Sequence, residues 1–111
     1  METVHTIYDL KKDKNFTEDQ TLDLVNLFLP VSYKAKTKIN GLNSRLEAFK
    51  GQNEKADEIQ FELNTEISKW SEKIRRLGGT PLALYKVKIP TTNGYYIWEY
   101  PSADIEFFEL D

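Results

Sequence analysis

The chain has 111 residues, of which 40% are hydrophobic and 13% aromatic, and it carries a formal net charge of -3. This length is typical of one domain with one modest core. The absence of cysteine excludes disulfides, thiolate nucleophiles and cysteine-ligated metal sites, and the acidic balance argues against a generally basic nucleic-acid binder.

Residues 1–14 contain no apolar run resembling the h-region of a signal peptide, and no later stretch approaches the roughly 20 apolar residues of a membrane span. We therefore expect a soluble cytoplasmic protein. The stretch VHTIYDL at residues 4–10 is either a fourth strand at a sheet edge or part of a tail. His5, the only histidine, has no positioned second group beside it, so we interpret it as a solvated residue rather than a ligand or base.

The first predicted helix covers residues 18–29. Thr17 is a suitable N-cap, and Gln20 lies where the partner in a capping box belongs. Pro30 lacks the N–H that an uninterrupted helix needs, so it is either in the first turn of a second helix or at a kink within one long helix. We favour a kink or a very short break. The apolar side of this first helix is broad and consists of Leu22, Leu24, Val25, Phe28 and Leu29.

The stretches 31–49 and 59–77 predict the two arms of an antiparallel helical hairpin. Each carries a narrow seam of apolar or small residues that recur every three or four positions, and a short polar connection at residues 51–53 separates them. Asn53 is a possible N-cap of the second arm, and Gly78-Gly79 is its stop signal. The seams are Val31, Ala35, Ile39, Leu42, Leu46 and Phe49, facing Ile59, Leu63, Ile67, Trp70, Ile74 and Leu77.

After Pro81 the pattern changes to strand alternation in LALYKVKIP, YYIWEY and IEFFEL, which predicts a three-stranded antiparallel meander. Asn93-Gly94 is a two-residue turn signal and would pair Lys88 with Glu99. Because the helices precede the strands without alternating with them, we predict one α+β domain over residues 15–111. In it an N-terminal helix and the long helical hairpin pack on the sheet.

Strand alternation sends neighbouring rings of YYIWEYP, residues 95–101, to opposite faces of this sheet. The inward set should pack against the second helical arm and consists of Tyr85, Val87, Ile89, Tyr96, Trp98, Tyr100, Ile105 and Phe107. The outward set consists of Tyr95, Ile97, Phe108 and Leu110, beside Lys86, Lys88, Glu99 and Glu106.

The outward set is more apolar than a solvated sheet face normally is, so something should cover it. One candidate is the chain's own N-terminus, through Val4, Ile7, Tyr8 and Leu10. The other, which we favour, is a second copy of the protein or another protein that docks through an aromatic patch with a charged rim.

No catalytic, cofactor or metal site is predicted, because the sequence lacks a glycine-rich phosphate loop, a nucleophile elbow and zinc-ligand spacing. Glutamates recur every fourth residue from Glu54 to Glu66. A di-metal carboxylate bundle would need Glu-x-x-His motifs on facing helices, whereas the opposite arm offers only Glu47, so we interpret this ridge as a solvated helix face.

We therefore expect a noncatalytic structural or protein-interaction domain that self-associates as a homodimer or binds a protein partner. The alternative is a nucleic-acid-binding accessory protein that attracts phosphates at the basic end of the hairpin and stacks bases on Tyr95. The basic residues that would gather there are Lys34, Lys38, Lys69, Lys73, Arg75, Arg76, Lys86 and Lys88.

The order of turns and apolar positions also matches a known pattern over residues 16–110. Its parts are an opening with Phe16-Thr17 and Leu29-Pro30, a helix end at Gly78-Gly79, a β segment at residues 88–90 and 94–98, and a close at Phe107-Phe108-Glu109. This order resembles the bacterial domain of unknown function 2203 family. The resemblance implies the fold and a cytoplasmic location and supplies no function, because the family's role is unassigned.

Three positions depart from the family's pattern. Ile97 stands where the pattern has cysteine, Lys88 where it has an acid, and Phe108 where it has histidine. This chain cannot share any family chemistry that rests on that cysteine or histidine.

Overall fold

A computed structural model describes residues 15–110 of the chain. In this range two helices precede one antiparallel sheet whose four strands lie in chain order. The predicted α+β class is confirmed. The elements are α1 (Glu18–Ala48), α2 (Asn53–Leu77), β1 (Thr80–Ala83), β2 (Lys86–Thr91), β3 (Gly94–Glu99) and β4 (Glu106–Glu109).

Helix α1 begins at the predicted capping box. Thr17 Oγ1 accepts a hydrogen bond from the Gln20 N–H at 3.1 Å, and Gln20 Oε1 accepts one from the Thr17 N–H at 3.0 Å. The helix then continues through Pro30 to Ala48, so of the two alternatives predicted for Pro30 the structure has one long helix, and the separate N-terminal helix is not present. Pro30 removes the N–H that would bond the carbonyl of Asn26, but both residues are exposed, which leaves that carbonyl accessible to water.

Helix α2 packs antiparallel to α1, as the two seams predicted. Trp70, Glu66 and Glu62 of α2 contact positions progressively later in α1, at Ser32, Lys38 and Arg45.

The ends of α2 agree only partly with the sequence. Its N-cap is Gln52, without a side-chain capping bond, so the predicted Asn53 cap is wrong. Its C-cap is Gly78, whose φ of 113° is left-handed, which confirms the predicted stop.

The sheet in the described part of the chain has four strands, one more than the predicted three-stranded meander. The stretch expected to form a single strand over residues 82–90 divides at Leu84-Tyr85, where Tyr85 has a left-handed φ of 69°. The segment before this turn, together with Thr80 and Pro81, forms β1 along the edge of β2. The other candidate for a fourth strand, residues 4–10, lies outside the described residues.

The hairpin between β2 and β3 turns at Thr92-Asn93, one residue earlier than the predicted Asn93-Gly94 turn. Asn93 takes the left-handed conformation that such a turn needs, with φ of 67°. Gly94 instead belongs to β3, where a Cβ atom would collide with the Phe108 carbonyl oxygen of β4. Glycine is required here by the close approach of a neighbouring strand.

The earlier turn changes the pairing but not the faces of the strands. Lys88 pairs with Ile97, and Glu99 pairs with Lys86, so the predicted Lys88–Glu99 pair is wrong. Each partner moved by two residues, and a two-residue shift keeps every side chain on its predicted side of the sheet.

The core lies between the inner face of the sheet and the two helices. Val87, Ile89 and Trp98 are fully buried there. Trp98 packs against Phe28 of α1 with ring centroids 5.4 Å apart, so α1 contributes to this layer as well as the predicted α2. The remaining core residues are Phe16, Leu24, Val25, Ala35, Ile39, Leu42, Ile59, Leu63, Trp70 and Ile74.

Phe107 departs from the predicted inner set, because its side chain is 47% exposed. It contacts Tyr96 on the neighbouring strand at a centroid distance of 5.4 Å. In the described part of the chain the closest packing of a helix on the sheet is that of α2 on β1, and Phe107 lies on β4 at the opposite edge.

Candidate interaction surface

The outer face of the sheet forms a shallow depression of about 460 Å³, which we call the outer groove. Three of the four predicted partner-binding residues line it, namely Tyr95, Ile97 and Phe108. Leu110 follows β4, is 60% exposed, and is not part of the lining. The full lining is Leu82, Lys86, Lys88, Tyr95, Ile97, Glu99, Glu106 and Phe108.

Two aromatic rings form the floor at one end of the outer groove. Tyr95 and Phe108 are cross-strand partners, and their rings stack with centroids 5.4 Å apart and planes inclined by 15°. Lys88 Nζ lies 4.7 Å from the centroid of the Tyr95 ring, a cation–π contact. These contacts hold the Tyr95 ring in one orientation, against the Phe108 ring and the Lys88 ammonium group.

The charged residues of the outer groove are separated by strand. Lys86 and Lys88 lie on β2, the apolar residues Tyr95 and Ile97 lie on the middle strand β3, and Glu106 lies on β4. Lys88, Ile97 and Glu106 are successive partners across the sheet and therefore form one row. The groove is basic along β2 and acidic at Glu106 on β4, and the middle strand between them presents Tyr95 and Ile97, followed by Glu99 at one end.

Leu82 is the groove residue that sequence reasoning missed. It lies in the irregular step between Pro81 and Ala83, where β1 has one residue more than the facing part of β2. Its side chain is 51% exposed beside the groove. Leu84-Tyr85 is not a usual turn signal, so the sequence predicted one continuous strand over this region. Without a separate edge strand, Leu82 could not be assigned to the groove.

The predicted basic patch is only partly assembled. Lys34, Lys38, Lys69 and Lys73 line a depression of about 140 Å³ between α1 and α2. Glu66 lies among them, with carboxylate oxygens 3.9 Å from Lys38 Nζ and 3.5 Å from Lys69 Nζ. The acid thus offsets part of the charge of these lysines.

The other four basic residues lie elsewhere. Arg75 lines a second depression, which it shares with Lys69 and Phe61, and Arg76 is exposed in the last turn of α2. Lys86 and Lys88 line the outer groove, on the side of the sheet turned away from the helices. Tyr95 accompanies these two lysines rather than the helical cluster, so the predicted combination of stacking ring and hairpin lysines does not form.

Three of the four glutamates in the ridge of α2, Glu58, Glu62 and Glu66, take part in ion pairs. Glu62 pairs with Arg45 at 3.7 Å, and Glu58 pairs with Lys55 at 3.7 Å. Over residues 15–110 no group of three or more histidine or acidic side chains is placed to hold a metal ion.

One buried polar atom stands out at the rim of the core. The hydroxyl oxygen of Tyr85 is inaccessible and has no hydrogen-bond partner within the described range. Burial raises the pKa of Tyr85, and the neighbouring Tyr100 raises it further. The group therefore stays protonated, which does not suit it to act as a base.

Comparison with known proteins adds no relative. No protein-family model, curated protein or solved structure matches this chain. The resemblance to the domain of unknown function 2203 family stays a prediction.

Neither helix in the described range is long and apolar enough to cross a membrane. His5 and the N-terminal side chains at positions 4, 7, 8 and 10 lie outside the described residues.

Proposed function

We propose that this chain is a noncatalytic protein-interaction domain, located in the cytoplasm, that self-associates through the outer groove. The observation that carries the proposal is a stacked Tyr95–Phe108 pair beside Ile97 on an exposed sheet face. Protein interfaces concentrate aromatic side chains at their centre and place charged residues at the rim. In the outer groove Tyr95 and Ile97 lie on the middle strand, between Lys88 on β2 and Glu106 on β4.

The composition of the groove supports a protein partner over a small substrate. It is lined by apolar, lysine and glutamate side chains, with no serine, histidine or threonine among them. Pockets for small molecules are usually concave enough to bury most of the ligand, whereas this surface is open. Such a face suits a partner that lies flat against it.

The test is the double substitution Tyr95→Ser with Phe108→Ser. We expect the parent protein to have the mass of a dimer by light scattering, and the variant to have the mass of a monomer while its circular dichroism stays that of a folded protein. The matched control is Phe61→Ser, which removes an aromatic ring that is 74% exposed on α2, away from the sheet. The control should keep the mass of the parent.

Two results would contradict this proposal. An unchanged mass with lost stability would show that the two rings belong to the core of the monomer. A parent that is already monomeric across the accessible concentration range would remove self-association itself.

The alternative function, binding of nucleic acid, is favoured by the convergence of Lys34, Lys38, Lys69 and Lys73 on one depression. It is weakened by Glu66 within that cluster and by the separation of Lys86 and Lys88 from it. A heparin column developed with rising salt separates the two functions. The interaction domain should elute before about 0.15 M salt, the physiological range, whereas retention well beyond it that is lost in Lys34→Glu with Lys73→Glu would favour nucleic acid.

A further inference from the structure

The charges of the outer groove restrict how two copies can meet. Adjacent strands lie about 4.8 Å apart, so Lys88 and Glu106 flank Ile97 at about 10 Å from each other. Within residues 15–110 neither of these two charged side chains takes part in an ion pair. Neither charge is therefore offset by an acid or base of the described chain, although the Lys88 ammonium group also lies over the Tyr95 ring.

A contact between identical surfaces has a two-fold axis, which for two sheets face to face lies in the plane between them. An axis parallel to β3 exchanges the two sides of the groove, so β2 of one copy faces β4 of the other. An axis perpendicular to the strands instead places β2 on β2, which sets Lys86 and Lys88 against the same residues of the second copy. Like charges brought together in an interface are costly, and Lys88, unlike Lys86, has no acidic cross-strand partner on β3 to offset its charge, so the perpendicular arrangement is disfavoured.

We infer that the partner is a second copy of this chain, related by a two-fold axis parallel to β3, with Lys88 of each copy against Glu106 of the other. This inference rests on the proposed function and adds the orientation of the contact. The rings of Tyr95 and the Ile97 side chains form its apolar centre, and the two Lys88–Glu106 pairs form its sides. At the Glu99 end of the contact the two Glu99 carboxylates lie near each other. Each has Lys86 of its own copy as its cross-strand neighbour, so two acids and two bases meet at this end.

Charge reversal tests this orientation directly. Lys88→Glu or Glu106→Lys alone places like charges at both sides of the contact, and we expect each to weaken dimerisation at least tenfold at low salt, measured by sedimentation equilibrium. The double variant Lys88→Glu with Glu106→Lys restores both pairs in reversed order. We expect its dissociation constant to return to within about threefold of the parent value.

Mixing the two single variants gives a second readout. In a mixed dimer the new Glu at position 88 of one copy meets the new Lys at position 106 of the other, and the opposite side keeps the original Lys88–Glu106 pair. Two proteins that are each monomeric should therefore form a dimer when combined in equal amounts.

The control must separate loss of the interface from loss of a cation–π contact, because Lys88 also lies over Tyr95. Lys36→Glu is matched to Lys88→Glu in this respect, since Lys36 Nζ lies 5.4 Å from the centroid of the Tyr100 ring but projects from α1. We expect Lys36→Glu to leave the dissociation constant unchanged, and circular dichroism to show all variants folded.

The outcomes separate the orientation from the proposed function. If Tyr95→Ser with Phe108→Ser gives monomers but neither the double reversal nor the mixture restores the dimer, the groove is an interface and the inferred orientation is wrong. If the single reversals leave dimerisation unchanged, the orientation is likewise overturned. If the parent is monomeric, both the orientation and the proposed self-association fall.

Discussion

The two faces of the sheet are built from alternate residues of the same strands, yet their surroundings differ completely. Val87 and Trp98 on the inner face are 0% exposed, whereas Leu82 and Phe108 on the outer face are 51% and 38% exposed. Both faces carry aromatic and aliphatic side chains. Within residues 15–110 the difference therefore comes from the helices, which pack on one face only, and the proposed contact between proteins uses the other face.

The contacts of individual rings show what this cover contributes. Trp98 packs on Phe28, and its Nε1–H donates to the Ser102 carbonyl oxygen at 2.6 Å, so both its apolar surface and its one donor are satisfied. Tyr95 is stacked against Phe108 within the sheet, and neither helix of residues 15–110 lines the groove beside it. The inner ring stabilises the fold, whereas the outer ring is the one to which we assign the proposed contact.

The largest expected effect compares neighbouring residues of β3. Trp98→Ala removes a fully buried ring and should lower the free energy of unfolding by about 3 to 5 kcal/mol. Ile97→Ala removes a half-buried side chain on the outer face and should cost about 1 kcal/mol or less. Urea denaturation of both variants, at a protein concentration low enough to favour monomers, measures the two values.

Equal free energies of unfolding for Trp98→Ala and Ile97→Ala would contradict the assignment of one residue to the core and the other to the outer face. A cost below about 1 kcal/mol for Trp98→Ala would mean that the face is misassigned. A cost above about 3 kcal/mol for Ile97→Ala would mean that the outer face belongs to the core of the monomer.

The sequence predicted the two faces better than it predicted the pairing. Moving the turn by one residue changed the partner of Lys88 from Glu99 to Ile97, which is a shift of two. Because side chains alternate with a period of two, the assignment of Tyr95 and Ile97 to the outer face did not depend on the register. The hydrophobic pattern therefore located most of the groove without the correct hairpin.

The remaining errors concern features that depend on tertiary packing. Pro30 is tolerated within α1 because its position is exposed. The broad apolar side of this helix did not show from the sequence whether Pro30 would face water, so the sequence left the break and the continuous helix as alternatives. Tyr85 adopts a left-handed turn that no glycine or asparagine signals. Phe107 follows the inward alternation, but its exposure is set by how far the helices extend across the sheet.

A smaller effect tests the helical side of the inner face. Trp70 Nε1–H donates to Ser32 Oγ at 2.8 Å in the buried layer between the helices. Ser32→Ala leaves that donor without its partner, which should cost about 1 to 3 kcal/mol in the free energy of unfolding. Ser44→Ala, at an exposed position of α1, is the matched control and should change stability by less than about 0.5 kcal/mol.

A double-mutant cycle strengthens this test. Trp70→Phe removes the donor, so Ser32→Ala should cost less in that background than in the parent. An equal cost in both backgrounds would show that the hydrogen bond contributes nothing measurable.

The smallest expected effect lies at the rim of the inner face. Tyr85 is held edge-on against Trp70 with centroids 5.8 Å apart and lies 5.9 Å from Tyr100, but its buried hydroxyl has no hydrogen-bond partner among residues 15–110. Tyr85→Phe keeps the ring and removes the unsatisfied group, so at pH 7 its free energy of unfolding should equal or slightly exceed that of the parent. A loss of more than about 1 kcal/mol at pH 7 would show that the hydroxyl is hydrogen-bonded in solution.

The same substitution has a signature at alkaline pH. An unfolded tyrosine loses its proton near pH 10, whereas burial and then Tyr100 raise the pKa of folded Tyr85. Between these two pKa values the folded state binds more protons than the unfolded state, so the stability of the parent should fall as the pH rises above about 10. Tyr85→Phe should show a shallower fall in urea titrations over that range, and Tyr33→Phe, which removes a hydroxyl from a side chain 63% exposed on α1, is the matched control. Parallel pH profiles for the parent and Tyr85→Phe would mean that water reaches the hydroxyl, and that the rim of the inner face is less sealed than Val87 and Trp98 at its centre.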